Sequence, residues 1–527
     1  MNWMWKCSPD SSVRLRRING QPSSRRIGGK IKTAIVQKTL PIIIGFLLIF
    51  TRQPLLADCN TMLTFADGAV PQHQLHVAVA GNDDTGDGTP EAPYATIQAA
   101  ASAATPGLAV VVHAGVYAGG IYLSNIGGTA QAPIWIGGAA GESPPIIDGG
   151  TEGMHITYAN FLILHDLEVR NSSANGINCD DGGDYANPDA TRHIIFKNLS
   201  VHDIGGTGNQ DGLKLSGVND YVVLNCQFAR CGGGMSGSGI DQVGCHRGVI
   251  AGCFFEAMSG NAIQCKGGSE DIEIRWCRFK NAGQRSVNLG GSTGFEYFRP
   301  PLSTTTPNVE ARNLRVFANI FEGSTAAVAF VGCVDTQVAN NTIINPDRWI
   351  VRILQETVSA GAYEFLPCGN NRFENNLIYF DRSGLSTYLN IGPYTAPESF
   401  VFSHNLWFAH DNPASSTPDL PVVETAGIYG QDPLLFDPAN DDFRIDQNSP
   451  AAGTGLEQSL ITGDIDGNCY RRPPSIGSHA FVDSCMGDFH PPDGDVDGED
   501  LANVISDIDA VDVGAFAAEF GRIDCPI

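Results

Sequence analysis

The chain has 527 residues, of which 42% are hydrophobic, so it is long enough for several domains or a repeat array and too apolar to be disordered throughout. Its 61 glycines and 30 prolines, together with only 17% charged residues, favour short strands and many turns over helices. The formal charge of −25 argues against a nucleic-acid partner, because basic surfaces bind nucleic acids.

The first 57 residues have the pattern of an export signal. They contain ten basic residues and one acid, and an apolar run at 40–50, short for a bilayer span, leads to the small residue Ala57. We expect 1–57 to be a signal peptide, and the mature protein to be secreted or at the cell surface without an integral membrane domain. The remaining chain then has a formal charge of −34, which would repel a polyanionic substrate unless cations intervene.

A strand-like pattern around one inward-facing residue recurs along the middle of the chain. Its successive positions are Leu167, Leu199, Cys226, Cys253, Cys277, Asn319, Asn341, Asn376 and Asn405. The spacings of 22 to 42 residues, the longest of which contains an insertion, are typical of a β-solenoid with one coil per repeat. Stacked coils lie about 4.8 Å apart, so inward Asn side chains can pass amide hydrogen bonds from coil to coil, and buried free Cys can fill the same column.

A second strand alternates between apolar and polar residues in each coil. Its inward positions are Ile177, Leu213, Ile240, Ile263, Val287 and Val328. Successive side chains of a strand point to opposite faces, so the residue after each of these faces outward. The outward positions are Asn178, Lys214, Asp241, Gln264, Asn288 and Ala329. We expect them to lie side by side along one exposed stripe.

These features resemble those of right-handed parallel β-helix proteins of the pectate-lyase-like superfamily. The resemblance rests on the repeats, on a cap-like pattern (HVAVAGND at 76–83, PYATIQAA at 93–100) and on a terminal-coil pattern (DPLLFDP at 432–438), and it covers 75–482. It implies an all-β fold, a right-handed parallel β-helix, without specifying a reaction.

Related β-helix enzymes hold sugar chains on the outer face of this second strand and commonly use Lys or Arg as a base, often with Ca²⁺ nearby. The resemblance therefore implies an exported carbohydrate-active protein that binds a polysaccharide. We expect above all a polysaccharide lyase, which cleaves a uronate-containing polymer by β-elimination. Lys266 or Lys214, beside Asp241, would be the base if burial lowers its pKa, and Arg285 would neutralise the uronate carboxylate.

The residues leave two alternatives open. Lys214 and Asp241 also fit a surface ion pair on a non-catalytic polysaccharide-binding protein of the cell surface or matrix. A glycoside hydrolase usually needs two carboxylates at a suitable separation. The outer column offers Asp241 alone, although Asp180, Asp181 and Asp211 lie at strand ends.

Candidate substrate-binding residues flank the stripe. The long insertion contains Tyr297, Phe298 and Arg299. Its aromatic residues suit stacking on sugar rings, although aromatics in such a loop also cover the flank of a solenoid. The segment 180–192 is predicted to form the other wall of a groove. The remaining predicted binding residues are Asn178, Gln264, Asn288 and His246.

The C-terminal segment 487–527 is acidic and resembles a degenerate dockerin-type module. Its carboxylates on a glycine-turned loop offer the hard oxygen ligands that Ca²⁺ requires. The predicted ligands are Asp493, Asp495, Asp497 and Asp500. The resemblance implies bound calcium and a cohesin-like protein partner, and the alternative is a solvated acidic tail. The predicted disulfide candidates are Cys469, Cys485 and Cys525.

Overall fold

The structure, a computed structural model, describes Cys59 and residues 62–481, apart from 207, 235, 459 and 460. The predicted signal peptide at 1–57 therefore lies outside the described residues, as does the segment 487–527 with its predicted calcium ligands. Within the described part of the chain, no helix is long and apolar enough to cross a bilayer.

The described chain winds as a right-handed parallel β-helix, which confirms the fold predicted from the sequence. Each coil visits three parallel sheets, which we number sheet 1, sheet 2 and sheet 3 in the order that the chain follows. Sheet 1 consists of the strands His73–Val77, Leu108–Val112, Ile134–Gly138, Asn160–His165, Thr191–Lys197, Val218–Asn219, Val222–Leu224, His246–Ala251, Ser269–Arg275, Ala311–Arg312, Arg315–Phe317, Cys333–Val334, Gln337–Ala339, Arg372–Glu374 and Val401–Ser403.

The other two sheets complete the coil. Sheet 2 consists of Val116–Ala118, Ile146–Asp148, Glu168–Arg170, Ser200–His202, Gln227–Ala229, Phe254–Glu256, Arg278–Lys280, Ile320–Glu322, Thr342–Ile344, Leu377–Phe380, Leu406–Ala409 and Ile428–Tyr429. Sheet 3 consists of Ile121–Ser124, Met154–Thr157, Ile177–Asp180, Leu213–Ser216, Ser238–Val243, Asn261–Lys266, Arg285–Gly290, Ala326–Val331, Trp349–Leu354 and Leu389–Ile391.

Few elements lie outside these sheets in the described chain. The α-helix Ile97–Ser102 packs its buried apolar residues against the first strands. An antiparallel pair, Leu435–Asp437 with Asp442–Ile445, follows the last coil. The 3₁₀ turns are Phe295–Tyr297, Pro397–Ser399, Pro413–Ser415 and Pro438–Asn440.

One left-handed residue turns the chain from sheet 1 into sheet 2 in nine successive coils. These residues, with φ between 51° and 63°, are Asp166, Asn198, Asn225, Gly252, Trp276, Ala318, Asn340, Asn375 and His404. Six of them are Asn, Asp or Gly, the residue types that adopt this conformation at least cost. Each immediately precedes a member of the recurring inward column, so the sequence repeat marks a structural corner.

The inward column beside this corner forms the predicted ladder. Nδ2 of Asn319 donates to Oδ1 of Asn341 at 2.9 Å, and Asn341 repeats this contact with Asn376 at the same distance. Asn376 continues it to Asn405 at 3.0 Å, and Asn405 donates to Oε1 of Glu424 at 2.7 Å. The predicted coil-to-coil amide hydrogen bonds are therefore confirmed.

Apolar columns fill the rest of the interior. The predicted inward residues of sheet 3 are all fully buried, and they are Ile177, Leu213, Ile240, Ile263, Val287 and Val328. The free thiols predicted to be buried are also inside, and they are Cys179, Cys226, Cys253, Cys265 and Cys277. On sheet 2, four stacked rings with centroids 4.7 to 5.1 Å apart belong to Phe228, Phe255, Phe279 and Phe321. On sheet 3 the outward positions from Asn178 to Asn288 are thereby left for polar side chains.

Of the predicted disulfide candidates, Cys469 does form a bond, and its partner is Cys59. This bond joins positions 410 residues apart, and the backbone N–H of Cys59 also donates to the carbonyl oxygen of Gly467 at 3.3 Å. Cys485 and Cys525 lie outside the described residues.

Candidate functional site

The predicted outer stripe exists on sheet 3. The strands pair so that Asn178, Lys214, Asp241, Gln264 and Asn288 are consecutive partners across neighbouring coils. The alternation of apolar and polar residues fixes which face each side chain takes, and the parallel register then aligns them. The predicted side-by-side order is therefore confirmed.

A cluster of two lysines and two aspartates occupies the middle of the stripe. Lys214 and Lys266 both approach the Oδ2 of Asp241: Lys214 hydrogen-bonds to it, and Nζ of Lys266 lies 3.3 Å away. Nζ of Lys214 also lies 3.3 Å from Oδ2 of Asp211. Asp241 is completely buried and Lys266 is only 9% exposed, so the lysines cover the carboxylates. The cluster thus presents the amino groups of its lysines to the outside and keeps its carboxylates below.

The charges of this cluster set its protonation. Burial, followed by the charge of Asp241, raises the pKa of Asp211 to about 6. Burial alone would raise the pKa of Asp241, but the neighbouring lysines outweigh it and lower that pKa. Burial alone would likewise lower the pKa of Lys214, but Asp241 and Asp211 outweigh it and raise that pKa above its ordinary value. Lys214 was predicted to act as a base only if burial lowered its pKa. That pKa is raised, so Lys214 does not meet this condition.

The stripe forms the floor of a cleft of about 760 Å³. Lys214, Lys266 and Asn178 line this floor. Its wall follows the carboxyl ends of the sheet 3 strands and comes from two segments of the chain. The wall residues are Asp181, Gly182, Gly183, Tyr185, Ser292, Thr293, Gly294, Tyr297 and Arg299. Tyr297 is 50% exposed, so its ring is accessible from the cleft.

The two wall segments meet, although the sequence suggested that they would face each other. Nε of Arg299 donates to Oδ2 of Asp181 at 2.7 Å, and the Arg299 guanidinium lies 3.9 Å from the ring centroid of Tyr185. Both segments follow parallel strands of one sheet, and the carboxyl ends of such strands lie along the same edge. Arg299 therefore holds the wall together and is largely buried in it.

A second contact fixes the later wall segment to the solenoid. The fully buried Glu310 accepts hydrogen bonds from the backbone N–H groups of Gly267 and Thr293, at 2.8 and 2.9 Å. It also accepts from the hydroxyl groups of Thr293 and Thr357. A buried carboxylate with four donors is well satisfied, so it holds the wall in place beside Lys266.

Sequence reasoning missed the residues at the N-terminal end of the cleft. Here the ring of His155 lies between two carboxylates, with Nε2 at 2.8 Å from Asp180 and Nδ1 at 3.3 Å from Glu152. Tyr122 and Tyr158 are exposed beside it, and the Tyr122 and His155 ring centroids are 5.2 Å apart. The alternation Met154-His155-Ile156 was the available signal, because His155 precedes Asn178 in the same outer column.

Several predicted site residues do not line the cleft. Phe298 is 2% exposed and packs against Phe365, so it covers the solenoid flank and cannot stack on a sugar. His246 begins a strand of sheet 1, a different face, where its ring contacts the carbonyl oxygen of Gly268. Neither residue lies where it could bind a sugar in the cleft, because the wall loop folds inward at Phe298 and the chain has turned before His246.

The prediction that the stripe is exposed along its length is wrong, because Asp241 is buried under the lysines and the stripe is covered beyond it. The backbone of Gly291 passes so close that a Cβ there would stand 2.4 Å from Nε2 of Gln264. Asn288 is buried and accepts a hydrogen bond from Arg285 at 2.7 Å, and Arg285 also binds Glu356 at 2.8 Å. Gln264, Asn288 and Arg285 therefore lie outside the cleft, which contradicts the predicted role of Arg285 in neutralising a uronate carboxylate there.

The described residues of the cleft do not fit a calcium ion. In the described part of the chain, no three His, Cys, Asp or Glu side chains are grouped to hold a metal. The cleft carboxylates each have a basic partner instead: Arg299 for Asp181, His155 for Asp180 and the lysines for Asp241. Calcium thus enters no step at this site.

Comparisons with known proteins bear mainly on the fold. A family model described as a right handed beta helix region matches residues 152–343. Pectate lyase Pel9A is similar at 17% identity over 81% of this chain and 100% of that chain, with a TM-score of 0.46. The GH136 lacto-N-biosidase from Eubacterium ramulus is similar at 15% identity over 63% of this chain and 67% of that chain, with a TM-score of 0.41. No curated protein sequence matches the chain. The reaction is therefore argued from the cleft itself.

Proposed function

We propose that the protein is an exported carbohydrate-active enzyme, a polysaccharide lyase that cleaves a uronate-containing polymer by β-elimination in this cleft. The observation that carries the proposal is the pair of lysines on the cleft floor that share the buried carboxylate of Asp241. They place a proton acceptor and a fixed positive charge side by side, which are the two groups that the reaction needs.

Lys266 is assigned as the base. Its neutral amine takes the proton from the carbon beside the uronate carboxylate, the electrons of that C–H bond form the new C=C bond, and the C–O bond to the next sugar breaks. The leaving oxygen takes a proton from water. Asp241 keeps a charged partner while Lys266 is neutral, because Lys214 hydrogen-bonds to the same carboxylate oxygen.

Lys214 is assigned as the electrostatic partner. Its pKa is raised above the ordinary value, so it stays protonated and can stabilise the negative charge that develops on the uronate carboxylate. Tyr297 and Tyr185 offer rings along the wall for the apolar faces of sugars. These positions replace the earlier expectation for Arg285, which is bound to Glu356 away from the cleft.

A glycoside hydrolase is the second candidate, because of one observation. Asp211 and Asp241 approach the same lysine, and the pKa of Asp211 is raised while that of Asp241 is lowered. Carboxyl pairs whose pKa values are pushed apart often act as acid and base. Both groups are buried beneath the lysines, however, so a sugar reaches the lysines first.

Calcium and a cohesin-like partner remain proposals for the C-terminal segment. Asp493, Asp495, Asp497 and Asp500 would supply the oxygen ligands. Titration of the full chain with Ca²⁺ after chelation, compared with a variant in which Asp493 and Asp495 are replaced by Asn, tests the metal. Heat of binding only in the unchanged protein supports it, and equal heats in both proteins contradict it.

A polymer panel tests the proposed reaction. Polygalacturonate, rhamnogalacturonan, alginate and hyaluronan would be incubated with the protein, with Ca²⁺ or with a chelator. Unsaturated products, read by ultraviolet absorbance, support the lyase. New reducing ends without that absorbance indicate the hydrolase. Binding to a polymer without any product indicates a non-catalytic binding protein and contradicts both enzymatic proposals.

A further inference from the structure

The two ends of the cleft differ in the sign of the charge that they present. At the Lys266 end, the amino groups of Lys214 and Lys266 lie outermost, and the side chains of their partners Asp211 and Asp241 are each only 1% exposed below them. At the other end the carboxylates are themselves accessible, since the side chains of Glu152 and Asp180 are 23% and 19% exposed on either side of the His155 ring. A charge near the surface acts on a ligand more strongly than one beneath it.

The anionic end also carries exposed aromatic surface. We call it the His155 end and define it by Tyr122, His155, Tyr158 and Asp180. Tyr122 is 49% and Tyr158 38% exposed, and both line the cleft. Aromatic rings beside carboxylate and amide acceptors suit a sugar that has an apolar face and hydroxyl donors.

The ends are close enough for one glycan chain to occupy both. His155, Asn178 and Lys214 are consecutive partners on sheet 3. Asp180 lies on the strand that pairs directly with the strand of Lys214, one strand spacing of about 5 Å away. The Asp180 carboxylate therefore acts on the sugar that adjoins the one at the lysines, and His155 lies one strand further on.

The geometry points to a subsite for an uncharged sugar at the His155 end, and to exclusion of a uronate from it. The inference rests on the proposed function for its reaction and adds the substrate class: a glycan in which uronate alternates with an uncharged sugar. A homopolymeric uronate would bring its next carboxylate against Asp180, whereas an alternating glycan brings hydroxyl groups that can donate to it.

Substrate comparison tests the inference. We expect kcat/KM at low salt to be at least about tenfold higher on alternating polymers, rhamnogalacturonan and hyaluronan being the probes, than on polygalacturonate or alginate. In the wild-type protein this ratio should fall at 1 M salt, because screening weakens the repulsion of the homopolymer. A homopolymer cleaved as well as or better than both alternating polymers would overturn the inference.

Paired variants test whether the preference for alternating polymers arises at the His155 end. Asp180→Asn with Glu152→Gln should raise activity on the homopolymer several-fold. The ratio of kcat/KM on alternating polymers to kcat/KM on homopolymers should then decrease. The matched control, Asp203→Asn with Asp220→Asn, removes two carboxylates that bind Arg230 and Arg247 away from the cleft. The control should leave the ratio as in wild type, and an equal narrowing in both double variants contradicts a local subsite. Thermal melts verify that both proteins are folded.

Binding separates this inference from the proposed reaction. If no polymer is cleaved, the lyase proposal fails, and calorimetry with oligosaccharides of the same polymers still decides the subsite. Tighter binding of the alternating oligosaccharides, weakened by Tyr122→Ala, supports it. Equal or tighter binding of the polyuronate oligosaccharides, or binding of neither, overturns it.

Discussion

The Lys214–Asp241–Lys266 group combines structural and chemical roles at the scale of single residues. Charges buried together are stable only while each keeps its partner, since removing one leaves another uncompensated. Lys214 is the member that touches both aspartates. It therefore matters for stability as well as for the charge of the cleft floor.

Replacing Lys214 should destabilise the fold strongly. Lys214→Met keeps the side-chain volume but leaves Asp211 and Asp241 short of one positive partner, at an expected cost of about 3 kcal/mol in the free energy of unfolding. Lys280→Met is the matched control, because Lys280 also lies between two carboxylates, Glu322 and Asp441, but on a more exposed surface. Its cost should stay below about 1 kcal/mol. Equal losses in chemical denaturation would contradict the account.

The raised pKa of Asp211 predicts a pH-dependent stability difference. The folded protein holds this proton up to about pH 6, whereas the unfolded chain releases it near pH 4. The stabilisation from the bound proton is therefore complete below about pH 4 and is lost as the pH rises through 6. Asp211→Asn cannot titrate at this position, so it does not lose this stabilisation. The melting temperature of Asp211→Asn minus that of wild type should therefore increase between pH 4 and 7. A difference that does not change with pH contradicts the assignment.

Corners and ladders decide how the elements stack. The inward column changes from cysteine to asparagine along the helix, and at the junction the backbone N–H of Cys277 donates to Oδ1 of Asn319 at 2.9 Å. The cysteine part is held by packing, since burial raises the pKa of Cys253 far above its ordinary value and keeps the thiol neutral. The asparagine part is held by hydrogen bonds.

Truncation in the two parts of the column should therefore have unequal costs. Asn376→Ala leaves Nδ2 and the backbone N–H of Asn341 without their shared acceptor, and it removes one of the two hydrogen bonds to Oδ1 of Asn405. Buried groups left in this way cost about 1–3 kcal/mol each. Cys253→Ala removes one sulfur atom and should cost less than half as much. Urea denaturation compares the two, and a larger loss for Cys253→Ala would contradict the hydrogen-bonded ladder.

The elements also show what the sequence could and could not predict. Alternation predicted the faces of sheet 3, because inward Ile and outward Lys alternate with the period of a strand. The cleft wall was harder to predict from the sequence. Arg299 binds Asp181, 118 residues away in the chain, and Phe298 turns inward through contacts made only in the folded chain. No local pattern marks such docking. His155 was predictable from alternation and was missed because the repeat was read only from Asn178 onward.

At the scale of the whole molecule, the Cys59–Cys469 bond ties the segment before the first coil to the segment after the last one. We expect reduction to lower the free energy of unfolding by about 2–4 kcal/mol, because the open chain gains conformational freedom. Thermal melts with and without a reducing agent measure this, with Cys59→Ala as the control that a reducing agent should not affect. An unchanged wild-type melt after verified reduction contradicts a stabilising role.

The whole solenoid also sets the electrical context of the cleft. The chain carries a formal charge of −25, yet the cleft floor presents two lysines above buried aspartates. Long-range repulsion of an anionic polymer is thereby combined with local attraction at one place. Salt should therefore speed binding of a uronate polymer at low ionic strength, where repulsion acts beyond about 10 Å.

The most direct measurement of the central claim compares elimination by Lys266→Ala and Lys280→Ala on the polymer that wild type degrades. The account predicts a loss of about 100-fold or more in kcat for Lys266→Ala, with KM changed little, because a general base contributes that much to the rate. Lys280→Ala should retain wild-type kcat. Wild-type activity in a folded Lys266→Ala protein would contradict the account.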